Sequence, residues 1–377
     1  MLNHVGVLDG ILILLLTVVF VQILKKFSVR LGLVDIPNHR SSHVNPTPRG
    51  AGIAMFLGYG LIFSFFHFSF VLGHIGFFIA LLMVFLLGLY DDVRDAAPRM
   101  KLLVIATAAA AIFFIDGMGI ESLGYWFGVE ITLPYLLSFL VTVFAVVGFT
   151  NALNLVDGLD GLAGSLSLVI LVSFFYIGYV YHDQFLVTVS FFVMLSLLGF
   201  LFFNWYPASI FMGDSGSLVL GFIISVLAIR ATHYVSDTTV LFLAAVPIID
   251  TIIVMTRRIQ RGQSPFSPDK NHFHHKILML KGSVDASVHI LVSLQIILSV
   301  IGLLLRDKSD IINLMIFSII LFVFFQALDD RREQRNLLVV SRVKKVVTTF
   351  VRKLAQGQTL LISSLLLGIV LMLKILM

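Results

Sequence analysis

The sequence returns repeatedly to apolar runs long enough to cross a bilayer, and this sets the fold class before any motif is read. A helix rises 1.5 Å per residue and the hydrocarbon core is about 30 Å thick, so about 20 apolar residues span it. Candidate spans are Leu8–Leu24, Ala51–Phe66, Gly73–Tyr90, Leu102–Ile115, Leu133–Thr150, Leu162–Tyr179, Phe185–Phe203, Ser217–Ala231, Val240–Thr256, His289–Leu305, Ile311–Leu328 and Leu360–Leu376. In lipid every backbone polar group must be satisfied within the protein, which leaves helices for runs of this length. The expectation is an all-α polytopic membrane protein with about 11–12 transmembrane helices. Charged residues make up only 12% of the chain, and cysteine is absent. Disulfides, thiolate catalysis and zinc–thiolate sites are therefore excluded.

Charge orients the spans. No basic residue precedes Leu8–Leu24 and no small-residue cleavage site follows it, whereas Lys25, Lys26 and Arg30 come directly after. That pattern predicts a retained first span with the N-terminus outside. Counting on, all but four of the 26 basic residues fall in inner loops; Arg230, Arg306, Lys308 and Lys374 are the exceptions. The loops after spans 1, 3, 5, 7 and 9 carry most of the unusual polar residues, so a cytoplasm-facing site is expected. Residues 1–328 read as one multi-span catalytic domain. Residues 329–377 read as a basic amphipathic segment, predicted to lie in the plane of the anionic inner leaflet, followed by a further span.

Several polar clusters share this inner face. "GLYDDVRDAAPRMK" (Gly88–Lys101) ends the third span; Asp91 and Asp92 point about 100° apart on a helix and so divide their roles. The plain alternative is a solvated helix end. "NALNLVDGLDGLAG" (Asn151–Gly164) repeats Asn151, Asn154, Asp157 and Asp160 every third residue, a polar stripe if the helix continues, a set of turn residues if it does not. In "NWYPASIFMGDSGSL", Asp214 stands beside glycine, where a carboxylate approaches Mg²⁺ without crowding; otherwise it caps the next helix, a role open to Ser215 or Ser217 too. Asp250 lies inside the ninth span, with Arg257 seven residues on along the same face. It is either a substrate contact or a structural partner of a neighbouring helix. Arg40, His43 and Arg49 sit in a basic, Pro- and Gly-rich loop that suits a phosphate or merely follows the inside charge bias. His272, His274 and His275 are crowded by Lys270 and Lys276, which favours an anion over a metal ion.

Carboxylates that hold Mg²⁺ and bases that hold phosphates, on one membrane face, suit phosphoryl transfer between a soluble and a lipid-borne phosphate. The succession of "DIPNHRSSHVNPTPRGAG", "GLYDD", "NALNLVDGLDGL", "FMGDSGSL", "PIIDT" and "DKNHFHH" resembles the polyprenyl-phosphate N-acetylhexosamine-1-phosphate transferases, in order and topology, over about Val34 to Leu278. The resemblance implies transfer of a sugar-1-phosphate from a UDP-N-acetylhexosamine to undecaprenyl phosphate, with release of UMP, at the bacterial inner membrane. It implies Mg²⁺, with Mn²⁺ as the alternative, on Asp214. It implies catalytic roles for Asp91, Asp92, Asp157, Asp160 and His272. Substrate contacts then fall to Arg40, His43, Arg49, Lys101, Asn151, Asn154, Asp250, Arg257, His274 and His275. Its expected partners are the two substrates, the bilayer and, at family level, a second copy in a homodimer, with no nucleic acid. The sugar stays open, because the "RSSH" and "NHFHH" stretches resemble different branches. The longer histidine motif of the muramyl-pentapeptide branch is absent.

Two other classes fit less well. A secondary transporter places its charges near the midplane within inverted repeats, whereas these acids gather at one surface. A CDP-alcohol phosphotransferase shares the Asp157-Gly-Leu-Asp160-Gly core, but here Ala163 is followed by Gly164, and the next acid, Asp183, falls outside.

Overall fold

The computed structural model describes residues 6–37, 45–264 and 272–327. Arg40, His43, Lys270, the expected C-terminal amphipathic segment and the last expected span lie outside these residues. The helices are α1 (Val7–Leu31), α2 (Ala51–Phe66), α3 (Phe68–Gly73), α4 (Ile75–Arg94), α5 (Pro98–Ile115), α6 (Tyr135–Val156) and α7 (Leu162–Tyr181). They continue as α8 (Gln184–Asn204), α9 (Asp214–Ala231), α10 (Thr239–Leu243), α11 (Ala245–Gln260), α12 (Phe273–Lys281), α13 (Val284–Leu305) and α14 (Asp310–Ala327). Two short hairpins complete the elements: β1 (Val34–Asp35) with β2 (Thr47–Pro48), and β3 (Ser122–Trp126) with β4 (Val129–Thr132). Among the described residues eight helices are long and apolar enough to cross a membrane, and α2 and Asp310–Gln326 are shorter apolar helices. The chain is an all-α polytopic membrane protein.

Helix α9 is the hub. Every residue from Ser215 to Leu227 is buried, as expected of a helix apolar on all sides and enclosed by others. It packs against α2, α4, α6, α7 and α8. Small residues permit the crossings, since lipid supplies no hydrophobic drive between helices and close backbone packing replaces it. A β-carbon at Gly52 would run into the backbone of Ser215 and Gly216, and one at Gly88 would lie 2.5 Å from the Asp214 carbonyl oxygen. One at Gly221 would lie 2.8 Å from the Thr150 α-carbon.

Polar contacts collect at the two ends of the bundle. At one end Asp183 caps α8 through the Leu186 N–H (2.8 Å) and accepts from Arg230 (2.6 Å) and Tyr234 (2.8 Å). There too, Asp310 accepts from Ser236, from the Thr238 N–H (3.1 Å) and from the Tyr125 N–H (2.8 Å), pinning the β3–β4 hairpin to α14. The opposite end gathers the acids, amides and histidines picked out in the sequence. There the β1–β2 hairpin zips onto the segment ahead of α9: Phe211 N–H donates to the Pro48 carbonyl (2.8 Å) and Gly52 N–H to the Met212 carbonyl (2.9 Å).

Two expectations change. Val240–Thr256 is not one helix. It breaks at Ala244 (φ −123°, ψ 31°) into α10 and α11, because Pro247 has no N–H for the Leu243 carbonyl. Nor does the Asn151–Gly164 stripe continue as a helix: α6 stops at Val156, Asp157–Gly161 forms a turn, and Gly161 (φ 74°) starts α7. That backbone angle suits glycine.

The crossing of α2 and α9 gives a direct test. Gly52→Ala should destabilise the protein by about 1–3 kcal/mol, the usual penalty of overpacking. Gly60→Ala, whose β-carbon meets nothing within 4 Å, should leave thermal unfolding in detergent unchanged. Equal melting temperatures for the two variants would contradict the crossing.

Candidate functional site

The site begins where α4 ends against α9. The first N–H groups of a helix have no partner within it. At α9 they find one from another helix: Asp92 accepts from the Asp214 N–H (2.8 Å) and the Ser215 N–H (3.1 Å). Gly213 (φ 73°) brings the chain onto Asp92, and a β-carbon there would lie 2.6 Å from the Asp92 carboxylate. The expected cap from Ser215 or Ser217 is therefore not used, and no cap comes from the Asp214 side chain. Asp92 is 2% exposed with both oxygens on the α9 backbone, so it shapes the site rather than facing a ligand.

Asp91 does the opposite. It accepts the Ala96 N–H (2.5 Å) and pairs with Lys101, which rises from the first turn of α5. The same Lys101 ammonium lies 2.6 Å from Asp214 Oδ2. One cation thus bridges two carboxylates from different helices. Asp95, with φ 50°, ends α4 and turns to solvent. From α6, Asn154 donates to Asp214 Oδ1 (2.9 Å) and to Ser217 Oγ (2.8 Å). Asp214 is therefore held from both sides with its carboxylate oriented.

The Asp157–Gly161 turn lies alongside. Burial, then the charges of Asp214, Asp92 and Asp160, push the Asp157 carboxyl up to about 7. Asp160 accepts the Ala208 N–H (2.8 Å), tying this turn to the loop that leads into α9. Asn204 strengthens the tie, accepting from the Gly161 N–H (3.0 Å) and donating to the Ile210 carbonyl (2.9 Å). Asn151 is not drawn in: its amide donates to the Val147 carbonyl of its own helix (2.7 Å).

The histidines close the other side. Asp250 is 1% exposed and holds His272 Nδ1 (2.8 Å) with one oxygen and the Phe273 N–H (2.8 Å) with the other. Both oxygens are thereby engaged within the protein, and the structural-partner alternative named from sequence is the one these bonds match. A histidine bound at Nδ1 presents Nε2. The His274 ring stacks 5.8 Å from His272 and lies 4.2 Å from His275. A β-carbon at residue 158 would strike His274 Nε2, so the glycine in the Asp157 turn makes room for this ring. Burial, then His275 and His272, hold the His274 imidazole well below its ordinary value, and it stays neutral. Its Nδ1 is buried and has no hydrogen-bond partner among the described residues.

Two further bases have contacts among the described residues. Arg257 donates to the Phe325 carbonyl (3.0 Å) and lies over that ring, binding α11 to α14. Arg49 reaches the neighbourhood through its backbone, whose N–H donates to the Leu33 carbonyl (3.0 Å), and its Nε is buried. Sequence reasoning missed Asn204 as an individual residue, and it named Ser217 only as a possible cap. Asn204 stood inside a quoted motif, but only the tertiary partners of the two residues show what they do.

A family model described as Glycosyl transferase family 4 matches residues 74–232, which contain Asp91, Asp92, Lys101, Asn154, Asp157, Asp160 and Asp214. A probable undecaprenyl-phosphate N-acetylglucosaminyl 1-phosphate transferase of Bacillus subtilis is 31% identical over 329 residues, covering 85% of this chain and 91% of its own. The undecaprenyl-phosphate alpha-N-acetylglucosaminyl 1-phosphate transferases of Yersinia pestis and Escherichia coli K12 are each 32% identical. They cover 83% and 84% of this chain, and 88% of their own lengths.

The Asp157 turn yields a pH prediction. A carboxyl raised above its unfolded value stabilises the fold at low pH and loses that contribution as pH rises through its folded value. Asparagine mimics the protonated form. In divalent-free buffer the melting temperature of Asp157→Asn should therefore gain on the wild type as pH rises from about 5.5 to about 8. A difference that stays flat across this window would exclude a carboxyl titrating near 7.

Proposed function

We propose that this chain, which belongs to glycosyl transferase family 4, transfers an N-acetylhexosamine 1-phosphate from a UDP-sugar to undecaprenyl phosphate and releases UMP. The observation that carries the reading is Lys101 bridging Asp91 and Asp214, beside Asp157 and the His272–Asp250 pair. Anionic groups and bases stand together at one end of the bundle. This is the arrangement that two phosphate-bearing substrates need in order to approach each other.

The donor set suits a hard divalent cation. Asp91 and Asp214 direct carboxylate oxygens at one point that already carries a positive charge, the Lys101 ammonium. Among the described residues no group of three or more His, Asp or Glu side chains converges. Mg²⁺ commonly takes one or two carboxylates and completes its shell with substrate phosphates and water, so two carboxylates fit it. Asp214, with Asp91 second, would hold Mg²⁺ or Mn²⁺, which neutralises diphosphate charge when bound.

This chain's residues then divide the work. An oxygen of the lipid phosphate attacks the β-phosphorus of the UDP-sugar. The bond from that phosphorus to the bridging oxygen breaks, and UMP leaves with the electron pair. Asp157, titrating near 7, takes a proton from a monoprotonated lipid phosphate. Lys101 keeps the paired carboxylates from repelling the incoming phosphates. His272 presents Nε2 to a phosphate oxygen while Asp250 fixes its ring. The basic loop of Arg40, His43 and Arg49 supplies further positive charge for the phosphates. The positive-inside bias supports a position of this end of the bundle at the cytoplasmic face of a bacterial inner membrane, where UDP-sugars are available.

The test is UMP release by purified full-length protein with undecaprenyl phosphate, Mg²⁺ and a panel of UDP-sugars. One N-acetylhexosamine donor should stand out. Asp214→Asn should lower kcat by about a hundred-fold or more, the scale of losing a main electrostatic group at a reacting phosphate. His272→Ala should weaken UDP-sugar use while divalent binding persists. No UMP from any donor would end the transferase reading, and near-normal Mg²⁺-dependent turnover by Asp214→Asn would end the metal assignment.

A further inference from the structure

The break between α10 and α11 leaves backbone groups unpaired deep in the bundle. Pro247 offers no N–H to the Leu243 carbonyl, and the turn at Ala244 parts the Val246 N–H from the Phe242 carbonyl. An unpaired peptide group in hydrocarbon costs several kcal/mol. Non-helical backbone persists at such depth only where protein groups satisfy it.

One side chain does so. Gln295, from the middle of α13, is fully buried. Its Oε1 accepts from the Val246 N–H (2.9 Å), and its Nε2 donates to the Leu243 carbonyl (2.8 Å). Nε2 also donates to Ser299 Oγ (2.9 Å) and lies 3.3 Å from the Phe242 carbonyl. Ser299 Oγ donates in turn to the Leu243 carbonyl (3.4 Å). A primary amide carries donor and acceptor on one plane, so it replaces both halves of the missing ladder step. Because its bonds fall on both sides of the break, it fixes the direction in which α11 departs.

That direction matters to the site. Asp250 stands three residues beyond Pro247, and its two oxygens hold His272 Nδ1 and the Phe273 N–H. A change of angle at Ala244 is carried along α11 to Asp250 and so to His272. We propose that Gln295 is a positioning residue: by bridging the helix break it sets the place of Asp250 and hence of His272 in the site. The catalytic consequence rests on the transferase reading, whereas the geometric one does not.

The absence of cysteine gives a clean physical probe. Ile259→Cys on α11 and Phe202→Cys on α8, both exposed, accept spin labels for a dipolar distance measurement on the full chain. With Gln295 the distance distribution should be single and narrow. Gln295→Leu should shift or broaden it, and an unchanged distribution overturns the proposal.

Activity supplies the second arm. Gln295→Leu should lower UMP release by about ten- to a hundred-fold, as small displacements of catalytic groups do. In the His272→Ala background the same change should add less than about two-fold, because residues that act through one another are not additive. A full multiplicative loss in that background would mean general damage to the fold and would overturn the positioning role.

Gln295→Glu covers the case in which the leucine variant fails to fold. A protonated carboxyl reproduces the amide's donor and acceptor, and an ionised one offers only acceptors. Its activity relative to wild type should fall as pH rises, and a flat ratio counts against the proposal. If the wild type itself releases no UMP, the transferase reading fails, and the spin-label distances still decide the role of Gln295.

Discussion

The site rests on one carboxylate whose two oxygens are bonded to the backbone of another helix. Asp92 leaves the end of α4 and caps the start of α9, bonding two N–H groups that the helix cannot pair itself. An anion at a helix N-terminus is favoured by the helix dipole as well as by the hydrogen bonds. The contact fixes which turn of α9 meets which turn of α4, and Asp214 is the first residue of that turn. Gly88 and Gly213 allow the approach, since a β-carbon at either would meet the partner within 2.6 Å. Asp91, one residue earlier, is then left pointing at Asp214 with Lys101 between them. Two adjacent acids thereby acquire different work from helix geometry alone.

The same economy of backbone bonding recurs around the site. Asp160 and Asn204 hold the loop before α9 to the turn before α7. Asp250 holds the chain into α12 as it holds His272. In each case a side chain from one helix satisfies the backbone of another, which is what a low-dielectric surrounding demands of irregular segments. Rigid elements placed in this way keep the reacting groups within the narrow tolerance that phosphoryl transfer requires.

The spans were legible because apolar length is a one-dimensional signal, and ten of the twelve expected segments appear as continuous helices among the described residues. The inner-face clustering was legible for the same reason, since basic residues report topology directly. The partners were not. Nothing local distinguishes Asp92 from Asp91, and their division appears only when α9 arrives from more than a hundred residues away. Asp157 and Asp160 kept a helical spacing with Asn151 and Asn154, and only the backbone shows that the helix ends at Val156, with Asp157 at ψ 56° and Gly161 left-handed before α7. Pro247 is a local signal of a break, but the apolar run on both sides of it is long enough to read as one span.

The histidine cluster shows how burial resolves a composition that is ambiguous on its face. Three histidines near lysines suit either a metal or an anion. His272 already commits Nδ1 to Asp250, and its neighbour His274 is kept neutral by burial and by the rings on either side. A metal cage needs several rings aimed at one point, each backed by its own acceptor. Here the His272 and His274 rings stack at 5.8 Å, the His275 ring lies tilted 4.2 Å from His274, and among the described residues no group of three or more side chains that could hold a metal ion forms. A row of rings beside the acidic cluster suits an extended anion better than a metal ion.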